Sequence, residues 1–97
     1  MKLKAGNEAE YERRHNEIWP RLTRELRAAG IQDYGIYLEP ESLTLFAVQK
    51  LTDDNNAAEL PHTDIMREWW AYMADLMETY DDNSPVEQDL REVFYME

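Results

Sequence analysis

The hydrophobic pattern changes its period at Gly30, and this change limits the folds open to the chain. Before Gly30, apolar and aromatic residues recur at steps of three and four, which is the spacing of one helical face. They are Tyr11, Ile18, Leu22, Leu26 and Ala29, with His15 on the same stripe. After Gly30, Tyr34, Ile36 and Leu38 alternate with other residues, as in a strand. The sequence therefore predicts a mixed α+β fold in which Gly30 ends a helix.

Other local signals divide the chain into elements. Pro20 interrupts the helical stripe, so we expect a kink or a new helix with Pro20 in its first turn. Asn7 and Glu10 have the spacing of a capping box, and Thr63 is the predicted cap of a further helix, DIMREWWAYMADLM. The turn EPES and the stretch LTLFAVQKL (43–51) complete a hairpin with the strand after Gly30. MKLK and LREVFYM are the predicted first and last strands.

The predicted order is strand, helix, strand, strand, helix, strand. This order favours a ferredoxin-like βαββαβ sandwich, with a four-stranded antiparallel sheet and both helices on one face. The other face of such a sheet needs cover, which a second copy of the chain or a ligand pocket would supply.

Length and charge narrow the class of protein. A chain of 97 residues is expected to form a single domain over 1–97. It has no cysteine and a formal net charge of -11, so thiol chemistry is excluded and binding to nucleic acid or anionic lipid is disfavoured. No apolar run has the length of a membrane span, and MKLKAGNEAE lacks the hydrophobic stretch of a signal peptide. The expected compartment is therefore the cytoplasm.

His15 and Tyr11 are the first candidates for chemistry, because they lie one helical turn apart in EYERRHNEIWP. Imidazole has an unperturbed pKa near 6.5, which suits it to donate and accept protons at neutral pH. For His15, the alternative is a core histidine that is bonded to a carbonyl group or paired with Glu12 or Glu8. For Tyr11, it is a helix tyrosine with a buried ring and a hydrated hydroxyl group.

Trp69 and Trp70 are consecutive residues of the predicted last helix, so their side chains point about 100° apart. One indole can pack inside while the other lines a pocket, where its face would suit a sugar or a flat apolar ligand. The alternative is a tryptophan in the core or at a subunit interface. Tyr34 opens a strand, where tyrosine is common in any case.

Several kinds of site have no support in the sequence. The only histidines, His15 and His62, lie far apart, so no metal site is expected. The three glycines are scattered and form no phosphate-binding loop, and neither serine lies in a nucleophile elbow. The residues alone therefore predict neither a metal centre nor a phosphate-binding loop nor a serine triad.

Four stretches resemble one family. EYERRHNEIWP, DYGIYL, REWWAYMADLM and DNSPVEQDLREVFYM, in this order from about Tyr11 to Tyr95, are similar to motifs of the L-rhamnose mutarotases. The resemblance implies a homodimeric, ferredoxin-like protein of the dimeric α+β barrel type. It implies an isomerase of the racemase and epimerase class, which interconverts the α and β anomers of L-rhamnose without a cofactor.

The resemblance also implies roles for individual residues. His15 corresponds to the family's proton donor, and Tyr11, Tyr34, Trp69 and Trp70 correspond to residues that contact the sugar. The base that partners His15 stays open between a phenol, a carboxylate and water. Two other functions fit the residues: a cofactor-free monooxygenase or isomerase of the same architecture, and a non-catalytic sugar-binding module.

Overall fold

The computed structural model describes residues 1–97 and combines three α-helices with an antiparallel hairpin. The elements are α1 (Glu8–Asn16), α2 (Pro20–Ala28), β1 (Ile31–Glu39), β2 (Thr44–Leu51), a 3₁₀ helix (Ala57–His62), α3 (Asp64–Met73) and a short 3₁₀ turn (Ala74–Leu76). The predicted α+β class is confirmed by this arrangement. None of these helices combines the length and the apolar character that crossing a membrane requires.

The break in the long helical stripe lies where the sequence predicts it. α1 ends at Asn16, and Pro20 is the first residue of α2. At this position the missing N–H group of proline costs no hydrogen bond of the helix. Trp19 is extended (φ -62°, ψ 128°), the conformation that a following proline favours. The predicted capping box is wrong, because Asn7 makes no capping hydrogen bond and Glu10 pairs with arginines instead.

The predicted hairpin is confirmed, and it contains an irregularity near its start. Gln32 pairs with Lys50 and Gly35 with Val48, so the two residues between Gln32 and Gly35 face a single residue of β2. Asp33, one of the two, has a positive φ of 49°. This is a β-bulge, which bends its strand and redirects the neighbouring side chains.

The predicted first and last strands of the sheet differ from the observed structure. Near the N-terminus, Lys2 bridges to Thr44 of β2 and Leu3 bridges to Met77, both antiparallel. The amide groups of Leu45 and Glu78 donate to the carbonyl groups of residues 1 and 2, at 2.8 and 3.0 Å. The predicted last strand, over 90–96, has no regular secondary structure. No neighbouring segment within the chain pairs with it, and its large apolar side chains are exposed.

The main core lies between the helices and the hairpin. Leu22 is its most deeply buried large side chain, at 1% exposure, and Trp69 and Met73 of α3 pack in the same cluster. A smaller cluster of Ala29, Ile31 and Leu60 covers the junction between α2 and β1. Thr63 caps α3 as predicted, since its hydroxyl oxygen accepts a hydrogen bond from the Met66 amide group at 3.4 Å.

Candidate active site

A cleft of about 980 Å³ opens between α1, α2, the hairpin and α3. Its walls include Tyr11 and His15 from α1, Tyr34 from the bulged part of β1, and Trp69 from α3. Four of the five residues predicted for the site therefore meet in one cavity. The volume is sufficient for a monosaccharide, since small-molecule sites range over about 300–1,000 Å³.

The hydrogen bonding of His15 determines which ring nitrogen is basic. Nδ1 of His15 lies 3.0 Å from the backbone carbonyl oxygen of Tyr11. Because a carbonyl oxygen only accepts, Nδ1 carries the hydrogen, and Nε2 of the neutral ring holds the free lone pair. Nε2 forms no hydrogen bond within the protein. Every fully buried side-chain nitrogen does have a hydrogen-bond partner, so Nε2 is not fully buried, and His15 lines the cleft.

Burial sets the protonation state of the imidazole. It lowers the pKa of His15, because the positive charge of the imidazolium is poorly solvated in the cleft, while the bond to the Tyr11 carbonyl opposes this shift. The ring lies against the Tyr11 ring, at 4.3 Å between centroids, and meets Trp69 edge-on at 5.4 Å. Neutral imidazole with a basic Nε2 is therefore the resting form at neutral pH.

The two phenols of the cleft are held in their protonated form. Burial raises the pKa of Tyr11, and the nearby Tyr34 raises it further. Although 45% of Tyr34 is exposed, partial desolvation raises the pKa of its phenol, and the negative charge of Glu87 raises it further. At neutral pH both hydroxyl groups are hydrogen-bond donors, and neither is a base.

Trp69, which lines the cleft, belongs to an aromatic cluster with Trp19 and Tyr72 that was not predicted. Trp19 packs edge-on against Trp69, with 5.0 Å between ring centroids, and Tyr72 lies 5.4 Å from Trp19 and 5.7 Å from Trp69. The spacing of Trp69 and Tyr72 along the helix was a visible signal for the second contact. The contact with Trp19 depends on how α2 packs against α3, which no local pattern shows.

Trp70 lies apart from the other predicted site residues. Its partly buried side chain packs against the main core, and it does not line the cleft. The expectation that consecutive tryptophans of a helix face different surroundings is confirmed. A role for Trp70 in binding sugar stays a prediction.

The polar residues of the cleft favour an uncharged ligand. Three carboxylates line it (Glu8, Glu12 and Asp33) with one guanidinium group, that of Arg27. Anions are disfavoured by this balance, whereas the hydroxyl groups of a polyol find several acceptors. The remaining wall is largely apolar, with side chains such as Ile18, Leu26, Ile36 and Met66. The site thus joins a proton acceptor, two phenol donors and an aromatic wall, which suits acid–base chemistry on a neutral molecule.

Comparison with known proteins gives a consistent result. A family model described as L-rhamnose mutarotase matches residues 1–96. An L-rhamnose mutarotase of Brucella anthropi is 52% identical over 96 residues, which are 99% of this chain and 91% of the relative. One of Burkholderia orbicola is 52% identical over 97 residues, covering 100% of this chain and 93% of the relative.

A solved structure agrees with these matches. The crystal structure of an L-rhamnose mutarotase from Formosa agariphila has a TM-score of 0.92 to this chain at 43% identity, and the match covers 100% of this chain and 93% of that one. The chain belongs to the family of the L-rhamnose mutarotases, isomerases that interconvert sugar anomers.

Proposed function

We propose that this chain interconverts the α and β anomers of L-rhamnose, and that His15 exchanges the proton of the anomeric hydroxyl group. The observation that carries the proposal is the accessible Nε2 of His15, set in a cleft beside the phenols of Tyr11 and Tyr34. The family match supports the reaction and the substrate.

Ring opening needs a base and an acid at the same time. In the proposed step, Nε2 of His15 takes the proton of the anomeric hydroxyl group while the bond from C1 to the ring oxygen breaks. A phenol of the Tyr11 and Tyr34 pair donates its proton to the ring oxygen, so that the open-chain aldehyde and a new hydroxyl group form. The aldehyde then turns about its bond to C2.

Closure reverses both proton transfers on the opposite face of the carbonyl group. The hydroxyl group adds to C1 and returns its proton to the phenolate, while the imidazolium donates to the carbonyl oxygen. His15 therefore acts as base during opening and as proton donor during closure. General acid–base catalysis of this kind contributes about 10²–10⁴-fold in rate.

We propose Tyr34, Trp69 and Trp70 as further contacts of the sugar, with Tyr11. The cleft position of Tyr34 and Trp69 supports this role, since an indole face packs well against the C–H groups of a pyranose and a phenol can hydrogen-bond a hydroxyl group. For Trp70 the support is the family resemblance alone.

We further propose that residues 1–97 form one ferredoxin-like domain. The bridges of the N-terminal segment support this, because they set the segment beside β2 on one side and beside Met77 on the other. With the hairpin, the spatial order becomes β1, β2, residues 1–4 and residues 77–79. All neighbours in this order are antiparallel, as a ferredoxin-like sheet requires.

A homodimer is part of the same proposal. Tyr37, Phe46 and Val48 form an exposed apolar patch on the sheet face opposite the cleft. The segment 90–96 adds five exposed apolar residues, namely Leu90, Val93, Phe94, Tyr95 and Met96. Such surfaces favour association. Light scattering should give twice 11.6 kDa for the wild type and a smaller mass for Phe46→Glu; a monomeric wild type would contradict the dimer.

The activity itself is tested by NMR saturation exchange between the two anomeric proton signals of L-rhamnose. We expect the protein to accelerate exchange well above the rate in buffer. L-Fucose, D-ribose and D-glucose, measured at the same concentration, should exchange less rapidly. A rate for L-rhamnose equal to that in buffer would refute the proposed function.

A further inference from the structure

We propose that Arg14 is the positioning residue of the site: its guanidinium group ties α1 to the end of α3 and so holds His15 at its working place in the cleft. The inference rests on the proposed function, because it concerns the geometry of the same proton transfer. Arg14 directly precedes His15, so the two residues share one rigid turn of helix.

Arg14 reaches across to α3 and the turn that follows it with three hydrogen bonds. Nη1 donates to the backbone carbonyl oxygen of Tyr72 at 2.6 Å and to Oδ1 of Asp75 at 2.9 Å, and Nη2 donates to Oδ2 of Asp75 at 3.3 Å. The guanidinium carbon also lies 4.5 Å from the centroid of the Tyr72 ring. Only 12% of the Arg14 side chain is exposed. This forked, stacked arrangement is one that lysine cannot reproduce.

Arg14 also forms a hydrogen bond within its own helix. Its Nε donates to Oε2 of Glu10, four residues earlier, at 2.8 Å. All three nitrogens of the guanidinium group are therefore engaged, and the group is fixed in orientation as well as in place. A guanidinium group fixed in this way limits the positions that α1 can take relative to α3.

Arg14 makes the three direct hydrogen bonds from Glu8–Asn16 to α3 and the turn after it, whereas Arg13 has only a weaker interaction with the Tyr72 side chain, which helps to raise the pKa of Arg13. The connection made by Arg14 ends on the helix that also carries Trp69, the ring that His15 meets edge-on at 5.4 Å. The anchor of α1 and the aromatic wall of the cleft are thus parts of the same element. A shift of α1 would move Nε2 relative to a sugar held against that wall.

Arg13 is a matched control within the same motif. It pairs with the same Glu10 and also with Glu17, and both of these carboxylates belong to its own stretch of chain. Its side chain is 52% exposed. Replacing Arg13 removes an arginine of the same helix and leaves the bonds from Arg14 to α3 in place.

The test compares Arg14→Ala, Arg14→Lys and Arg13→Ala with the wild type, at a temperature where circular dichroism shows all of them folded. A misplacement of about 1 Å costs on the order of 10²-fold in rate. We therefore expect kcat for anomer exchange to fall by about this factor in both Arg14 variants, with a smaller change in KM. Arg13→Ala should keep wild-type values. Asp75→Asn, which weakens the link from the other side, should lower kcat by a smaller factor and is the variant to use if Arg14→Ala does not fold.

A spectroscopic readout separates positioning from simple stabilisation. The imidazole ring of His15 lies near the rings of Tyr11 and Trp69, so ring currents make the NMR shift of its Hε1 proton sensitive to where the imidazole lies. We expect this signal to move in the Arg14 variants and to stay in place in Arg13→Ala, with the exposed His62 as internal reference.

Wild-type kcat and an unmoved His15 signal in folded Arg14→Ala or Arg14→Lys would overturn the inference and leave the proposed function intact. A wild type that does not accelerate exchange would overturn the proposed function first, and the inference with it.

Discussion

Replacing Gly30 by alanine tests how the chain passes from α2 into the strand that carries Tyr34. Gly30 has a φ of +93°, which L side chains rarely adopt. Its amide group donates to the Arg27 carbonyl oxygen at 3.0 Å, and its own carbonyl oxygen accepts from Thr52 at 2.9 Å. A Cβ atom here would lie 2.3 Å from Oγ1 of Thr52 and 3.0 Å from the backbone Cα of Asn55.

The cost has two parts. Left-handed backbone at a residue with a side chain costs roughly 1–2 kcal/mol. Crowding adds about 1–3 kcal/mol, because the Thr52 hydroxyl group can rotate away but the backbone of Asn55 must shift. Together they predict that Gly30→Ala lowers the free energy of unfolding by about 2–5 kcal/mol.

Gly6 is the matched control, because its φ is +87° and a Cβ atom added there would have no neighbour within 4 Å. Gly6→Ala should lose only the backbone part, about 1–2 kcal/mol. Urea unfolding at fixed protein concentration measures both losses from the shift of the midpoint at an unchanged slope. Equal losses in the two variants would refute the claim that crowding by Thr52 and Asn55 makes glycine necessary at position 30.

Three further predictions concern the cleft and the core. Because burial lowers the pKa of His15 and the neutral ring is the active form, kcat/KM should stay constant above about pH 6.5 and fall only at lower pH. The same lowered pKa means that the unfolded chain binds the proton more tightly than the folded chain. The contribution of His15 to stability is therefore lost as the pH falls below the pKa of a free histidine. A midpoint of the pH–rate profile above about 6.5 would contradict the buried, neutral imidazole. Leu22→Ala should lower the free energy of unfolding by about 2–5 kcal/mol in urea titrations, since Leu22 is 1% exposed, and a loss too small to measure would argue against the observed core. Tyr34→Phe removes one hydrogen bond to a neutral sugar, so KM should rise by roughly 2- to 13-fold, and an unchanged KM would exclude that contact.

Local signals in the sequence predicted much of the fold. The helical stripe, the new start at Pro20, the hairpin and the Thr63 cap each depend on residues a few positions apart, and all are observed. The predicted capping box does not form, because Glu10 pairs instead with Arg13 and Arg14, one helical turn away. The bulge at Asp33 was not predicted, since its sequence gives no sign of an extra residue in the register.

Contacts between segments that are distant in the sequence could not be predicted from local sequence patterns. The bridge from Leu3 to Met77 joins the two ends of the fold, and no periodicity indicates it. The same is true of the ties from Arg14 to Tyr72 and Asp75, although the Arg-Arg pair was visible in the motif. The helical spacing brought Tyr11 and His15 together correctly, whereas the cleft that joins them to Trp69 follows from tertiary packing.

The most direct test of the account is the exchange rate of the L-rhamnose anomers with His15→Ala, measured by NMR saturation beside the wild type. His62→Ala is the matched control, because His62 is exposed and does not line the cleft. Loss of the general acid–base group predicts a fall of about 10²–10⁴-fold for His15→Ala, with wild-type exchange in His62→Ala. A folded His15→Ala protein that exchanges the anomers at the wild-type rate would contradict the assignment of His15 as the group that moves the proton.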